Sequence, residues 1–160
     1  MSNKAPGTAA AEMRVTKLVF FAITGFVILF FFAALVIVQY RPPVGTETEQ
    51  YELWKWVAAV LSLLALFLAK RVFYKGSNAA KNSLIPLPGK LRIYRRALLV
   101  YLALMELGSF VNIVLFILSG NFIFLAFAAV LLGFMLAMNP SRRRVVADLG
   151  IDASEEIELR

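Results

Sequence analysis

The sequence predicts an all-α membrane protein: an antiparallel four-transmembrane-helix bundle of two helical hairpins, followed by a short amphipathic C-terminal helix. Three observations carry that expectation. Apolar residues make up 61% of the 160 positions and charged residues 17%, against roughly 45–50% and 25% in an ordinary soluble domain. The apolar excess falls in four blocks, more than a soluble chain of this length has core volume to hide. Fifteen of the 17 basic residues lie in segments that share one side if all four blocks cross.

Residues 1–17 are small, polar and Ala-rich, and read as a tail that becomes helical near Ala9. The first crossing is about 18–40, and its apolar part, as far as Val38, is broken only by Thr24 and Gly25. Its run from Leu18 to Val38 is about 30 Å long at 1.5 Å per residue. It exceeds the roughly 7–15 residues of a signal-peptide core and ends in Tyr40-Arg41-Pro42-Pro43, so a retained anchor is expected. Its Phe20, Phe21, Phe26, Phe30, Phe31 and Phe32 run almost round the helix, as lipid-facing bulk does.

An acidic loop with Glu47, Glu49 and Glu52 leads to the second crossing, about 53–73. Tyr51, Trp54 and Trp56 crowd its start like an interfacial belt, and Lys55 among them can snorkel outward. Residues 74–96 read as a basic connector, with Ser, Asn, Pro86 and Pro88 ahead of Lys90-Leu91-Arg92-Ile93-Tyr94-Arg95-Arg96. The third crossing is about 97–119. Ser119-Gly120-Asn121 allows only a tight turn, so the fourth, about 122–138, must return beside the third. In residues 139–160, Ser141 and Gly150 are expected to cap a short helix with Val145, Val146 and Leu149 on one side. An acidic end follows.

The positive-inside rule places the tail, the connector and the C-terminal segment in the cytoplasm, and the other two loops outside. Lys70, Arg71, Lys75, Lys90, Arg92, Arg95 and Arg96 are therefore either topology signals or a contact for anionic lipid or an acidic partner surface. The +7 net charge lies beside hydrophobic segments, not on a separate basic domain, so nucleic acid is not an expected partner.

With no Cys and no His, disulfides, thiol and imidazole nucleophiles, haem ligation through either group and the usual zinc sites are excluded. No phosphate-binding loop or acid/base carboxylate pair is present. Neither an enzyme nor a cofactor is expected.

Glu106 is the one anomaly of the third crossing. It lies roughly 3 Å from the mid-point of that segment, where an ionised side chain carries a penalty of about 2.5–3.5 kcal/mol. Ala103, Glu106 and Ser109 share a helical stripe, with Gly108 and Asn112 on the next. The expectation is a polar seam facing into the bundle, with Glu106, Ser109 and Asn112 as a candidate proton or hydrogen-bond site. Glu106 is then either polar glue between helices, a proton- or cation-carrying carboxylate, or a subunit contact. Ala129, Gly133 and Ala137 recur every fourth residue on the fourth crossing, as do Ala58-Ser62 and Ala65-Ala69 on the second. Both are read as helix-packing seams, with homo-oligomerisation as the alternative.

The block ALMELGSFVNIVLFILSGN, with NPSRRRVVADLG after the fourth crossing, resembles a group of small uncharacterised four-helix bacterial membrane proteins. These carry a Glu in the third helix, a Leu-(Ser/Thr)-Gly-Asn turn and a Pro-(Ser/Thr)-basic-basic segment ending in Asp-Leu. The resemblance covers about residues 95–150. It implies the four-helix fold and a bacterial inner (plasma) membrane location, and brings no activity with it. A mid-membrane Glu is also similar in kind to the ion-carrying hairpins of rotary ATP synthases, whose first helices are Gly-rich, unlike this one. Small multidrug transporters carry theirs in the first helix, where this chain has no ionisable residue between Lys17 and Arg41. The reading these features support is a non-enzymatic accessory or oligomerising membrane component. The alternative is a small proton- or cation-coupled transporter or channel using Glu106.

Overall fold

The computed structural model describes residues 9–40 and 49–152. Residues 41–48 of the expected acidic first loop, most of the N-terminal tail and most of the acidic C-terminal end lie outside them, and residues 49–52, expected in that loop, form the start of the second helix. The described residues are all-helical: α1 (Ala9–Tyr40), α2 (Glu49–Lys81), α3 (Leu87–Ser119), α4 (Phe122–Ala137) and α5 (Arg142–Leu149). Three of these, α1, α2 and α3, are long and apolar enough to cross a membrane, and α4 with α5 forms a further candidate bent by 78°. Large apolar side chains such as Leu18, Leu29, Phe32 and Leu63 point outward and are at least 60% exposed. Such a surface suits lipid as its solvent.

The long helices exceed the expected crossings. At 32 or 33 residues each they measure roughly 50 Å, some 20 Å more than a bilayer's hydrocarbon thickness. The segment expected as a connector is instead the continuation of α2 to Lys81, a turn, and the start of α3 at Leu87. Tertiary packing overrides its polar composition. Ser77, Ala80, Leu87 and Leu91 are buried, and a Cβ on Gly76 would lie only 2.4 Å from the Cβ of Ala97. At Gly76 α2 and α3 approach closely, and only a missing side chain permits it. Pro88 sits in the first turn of α3, where no backbone donor is needed.

The other boundaries follow from the caps. Gly120 takes the left-handed conformation (φ 66°) and its N–H donates to the Phe116 carbonyl at 2.7 Å. The Asn121 side chain then accepts from Ile123 N–H at 3.1 Å, opening α4. Ser141 accepts from Arg144 N–H at 3.3 Å, and Gly150 (φ 60°) closes α5. Ser141 and Gly150 are the caps expected from the sequence, and Gly120 and Asn121 make the expected tight turn by capping the helices on either side of it.

α3 is the shared wall. It packs against α1, α2 and α4 and supplies most of the large, fully buried side chains, among them Tyr94, Tyr101, Leu102 and Met105. One core cluster joins these to Phe20, Phe73, Met135, Val145 and Leu149 at the basic end of the bundle. A second joins Ala34, Ala58, Ile113, Phe116 and Phe124 at the other.

Candidate functional site

Glu106 stands on the wall of a cleft between α1 and α3. Phe26, Ala103, Leu107 and Phe110 complete an open part of about 340 Å³. Phe26, Val27, Phe30, Phe110 and Ile113 surround an inner recess of about 10 Å³ that also reaches Glu106. The aromatic wall is ordered by stacking: Phe30 lies 5.0 Å from Phe110, nearly parallel to it, and 6.5 Å from Phe26. Glu106 is half-buried, and its carboxyl has no hydrogen-bond or ionic partner among the described residues.

This corrects the expectation that Ala103, Glu106 and Ser109 form one inward seam. Ala103 is exposed, Glu106 half-buried and Ser109 fully buried. Three residues fall about 60° short of a full turn, so the stripe winds from the outer surface at Ala103 to the interior at Ser109. The polar glue of this region is Asn112. Its Nδ2 donates to Ser62 Oγ across the α2–α3 interface at 2.8 Å and to the Gly108 carbonyl at 2.8 Å. Ser62 Oγ in turn donates to the Ala58 carbonyl at 2.8 Å. Thr24 Oγ1, Ser109 Oγ and Asn112 Oδ1 are buried without a partner among the described residues.

The two small-residue seams behave differently. On α2, Ala58, Ser62 and Ala69 are buried, and Ala65 lies 3.2 Å from a Cβ placed on Gly108, so this seam lets α3 approach. On α4, Ala129, Gly133 and Ala137 are exposed, and a Cβ on Gly133 would meet nothing within 4 Å. They do not pack within the chain. The four-residue repeat defines a stripe but not its direction, and Phe124, Leu125, Ala128, Leu131 and Met135 turn the opposite side of α4 inward.

At the basic end, the seven cations read from the sequence as topology signals or a lipid or partner contact separate into groups. Arg92 Nε donates to Glu12 Oε1 at 2.8 Å and Arg95 Nη1 to Glu12 Oε2 at 2.6 Å. Both tie the first turns of α1 to α3. Glu12 lies before the apolar run that starts at Leu18, and its side chain is only 10% exposed. The Arg92 hydrogen bond, with Arg95 beside it, holds the Glu12 carboxyl below the usual carboxylate range, against the opposing effect of burial. Lys70 Nζ sits 4.8 Å over the Phe134 ring, a cation–π contact. Lys90 is half-buried. Arg71, Lys75 and Arg96 are exposed and have no ion-pair or hydrogen-bond partner among the described residues.

A second polar cluster fixes α5. Tyr94 OH donates to Asp148 Oδ2 at 3.0 Å, Arg144 Nε lies 3.6 Å from the same oxygen, and Ser77 Oγ donates to the Asp148 carbonyl at 3.4 Å. Arg144 also donates to the Ala137 carbonyl and approaches Met138 Sδ, covering the C-terminal end of α4. Sequence reasoning missed Glu12 and Asp148 as anchors. A sign of the first was present, because Arg92 and Arg95 are three residues apart on one helix face.

Among the described residues no cluster of acidic side chains could hold a metal ion. Compared with protein families, curated proteins and solved structures, the chain matches none.

Proposed function

We propose that this chain is a multi-pass component of a bacterial inner membrane, crossing it four times with both termini in the cytoplasm. In this reading it acts without catalysis, by assembling with a second membrane-embedded copy through the Glu106 cleft. The observation that carries the reading is the Glu106 carboxyl itself, half-buried on the outer side of α1 and α3 and without a partner among the described residues. A polar group in that position gains most by meeting a protein surface in place of lipid. A second copy suits it because a protonated carboxyl is at once donor and acceptor, and a two-fold contact sets each such group against its own counterpart. The basic end of the bundle supports the cytoplasmic assignment through the positive-inside rule.

The transporter alternative needs a hydrated route to Glu106. Phe26, Phe30 and Phe110 line its cleft, and no second ionisable side chain shares the lining, so the geometry gives that reading less support.

Photobleaching step counts of labelled full-length chain in phosphatidylcholine vesicles test the assembly. Wild type is expected to give two-step traces at high protein density. Glu106→Leu should weaken the dimer about 3- to 30-fold, the range of about 0.6–2 kcal/mol for a polar contact between helices in lipid. Single-step traces for wild type at every density, or an unweakened Glu106→Leu dimer, would overturn it. Proton flux in wild-type vesicles that vanishes in Glu106→Gln would favour the transporter.

A further inference from the structure

A second groove adjoins the Glu106 cleft, with Leu107 on the wall between them, and carries its own signature. Leu61, Leu64 and Leu68 of α2 face Leu104, Leu107 and Val111 of α3 across an apolar groove of about 240 Å³, floored by Gly108 and Ala65. Following each wall toward the basic end gives the same result. On α2, Leu64, Leu68, Arg71 and Lys75 succeed one another at spacings of three or four residues and therefore lie on one face. On α3, Leu107, Ala103, Val100 and Arg96 do the same. The crossing of Gly76 over Ala97 sets the two walls level, because Lys75 and Arg96 immediately precede those residues. Their positions along the bundle axis then differ by only about 3 Å. Arg71 is roughly one turn nearer the groove.

All three cations are exposed and have no ion-pair or hydrogen-bond partner among the described residues, whereas Arg92 and Arg95 on the same helix are held by Glu12. An apolar groove whose two walls lead, at helical spacing, to exposed cations at one end has the chemistry that receives an amphiphile with an anionic head. We infer that this groove binds one anionic glycerophospholipid, an acyl chain lying along Leu64, Leu68 and Leu107 and the phosphate at Arg71, Lys75 and Arg96. The inference rests on the membrane-embedded reading above, but not on assembly through Glu106.

Native mass spectrometry of the full chain in mild detergent tests it, with phosphatidylglycerol or phosphatidylcholine added at equal concentration. The expected result is one retained phosphatidylglycerol per chain in preference to phosphatidylcholine. The triple variant Arg71→Gln/Lys75→Gln/Arg96→Gln should lose that preference by on the order of a hundredfold, at the strength of three interfacial cations. Leu64→Trp, which narrows the groove from the α2 side without altering charge or the Glu106 cleft, should weaken retention of the same lipid. Arg14→Gln/Arg143→Gln removes exposed cations elsewhere and should leave it unchanged.

Equal retention of both lipids by wild type overturns the inference. So does equal loss in the Arg14/Arg143 control, which would mean unspecific attraction. Displacement of the lipid by inorganic phosphate with Leu64→Trp behaving as wild type would overturn it too, leaving an anion site without the groove. Should the triple variant fail to fold, Arg96→Gln alone and Leu64→Trp decide. Release of the chain from membranes by alkaline carbonate would instead defeat the membrane-embedded reading, a result distinct from any of these.

Discussion

Gly76→Ala and Gly133→Ala make one chemical change in two helix interiors, and the structure gives them opposite signs. Replacing an interior helical Gly by Ala gains about 0.5–1 kcal/mol from backbone entropy and helix propensity. At Gly133 the new Cβ meets nothing within 4 Å, so that gain is retained. At Gly76 it would lie 2.4 Å from Ala97 Cβ, well inside the roughly 3.5–4.0 Å of carbon contact. Both atoms are fixed to backbone, so no rotamer relieves the clash and α2 must move off α3. Overpacking of this kind costs about 1–3 kcal/mol. The two variants should therefore differ by about 1–3 kcal/mol, with Gly133→Ala above wild type and Gly76→Ala below it. At about 2–4 °C per kcal/mol for a chain of this size, the melting temperatures separate by roughly 2–12 °C. Circular dichroism melts in one detergent measure this. Adding Ala97→Gly to Gly76→Ala should restore most of the loss, as a double-mutant cycle requires of directly touching residues. Equal melting of the two single variants would refute the close crossing.

Two further outcomes follow from the polar contacts. Because the Glu12 carboxyl is held below its unfolded value of 4.5, the stability it contributes is present above that pH. It is lost as the pH falls through the lower folded value. Glu12→Gln should melt earlier at neutral pH by the equivalent of about 1–3 kcal/mol and lose this acid-side dependence, which melts between about pH 3 and pH 7 compare directly. For the Asn112–Ser62 hydrogen bond, the cycle of Asn112→Val and Ser62→Ala should show a coupling of about 0.6–1.7 kcal/mol. Strict additivity would show that the bond contributes nothing.

Much of the architecture was legible because it depends on local chemistry. The Gly120 and Asn121 turn, the Ser141 and Gly150 caps and the apolar runs all follow from conformational preference or from transfer into lipid. The basic segment 74–96 was misread for the opposite reason: its Ser, Asn, Gly and Pro residues have turn chemistry, and only packing across the α2–α3 contact keeps Lys75 to Lys81 helical. The candidate site was legible in part. Glu106 is conspicuous by cost, but periodicity fixes the spacing of a stripe and not which neighbour it meets. The same gap hid the outward aim of Ala129, Gly133 and Ala137. The Glu12 contacts with Arg92 and Arg95 join residues 80 or more positions apart, beyond the reach of any local pattern.

The central place of α3 has a consequence for how the chain assembles as it is made. Among the described residues α1 and α2 barely touch each other, while each packs extensively on α3. During synthesis the first two helices therefore emerge without an interface to share, and neither can acquire its final neighbour until the third is complete. Even the ties at the basic end obey this order: Arg92 and Arg95 must arrive before Glu12 is held, and Asp148, later still, closes on Tyr94. Nascent α1 and α2 are separate until one late helix gathers them, which makes that helix the step at which the protein acquires its shape.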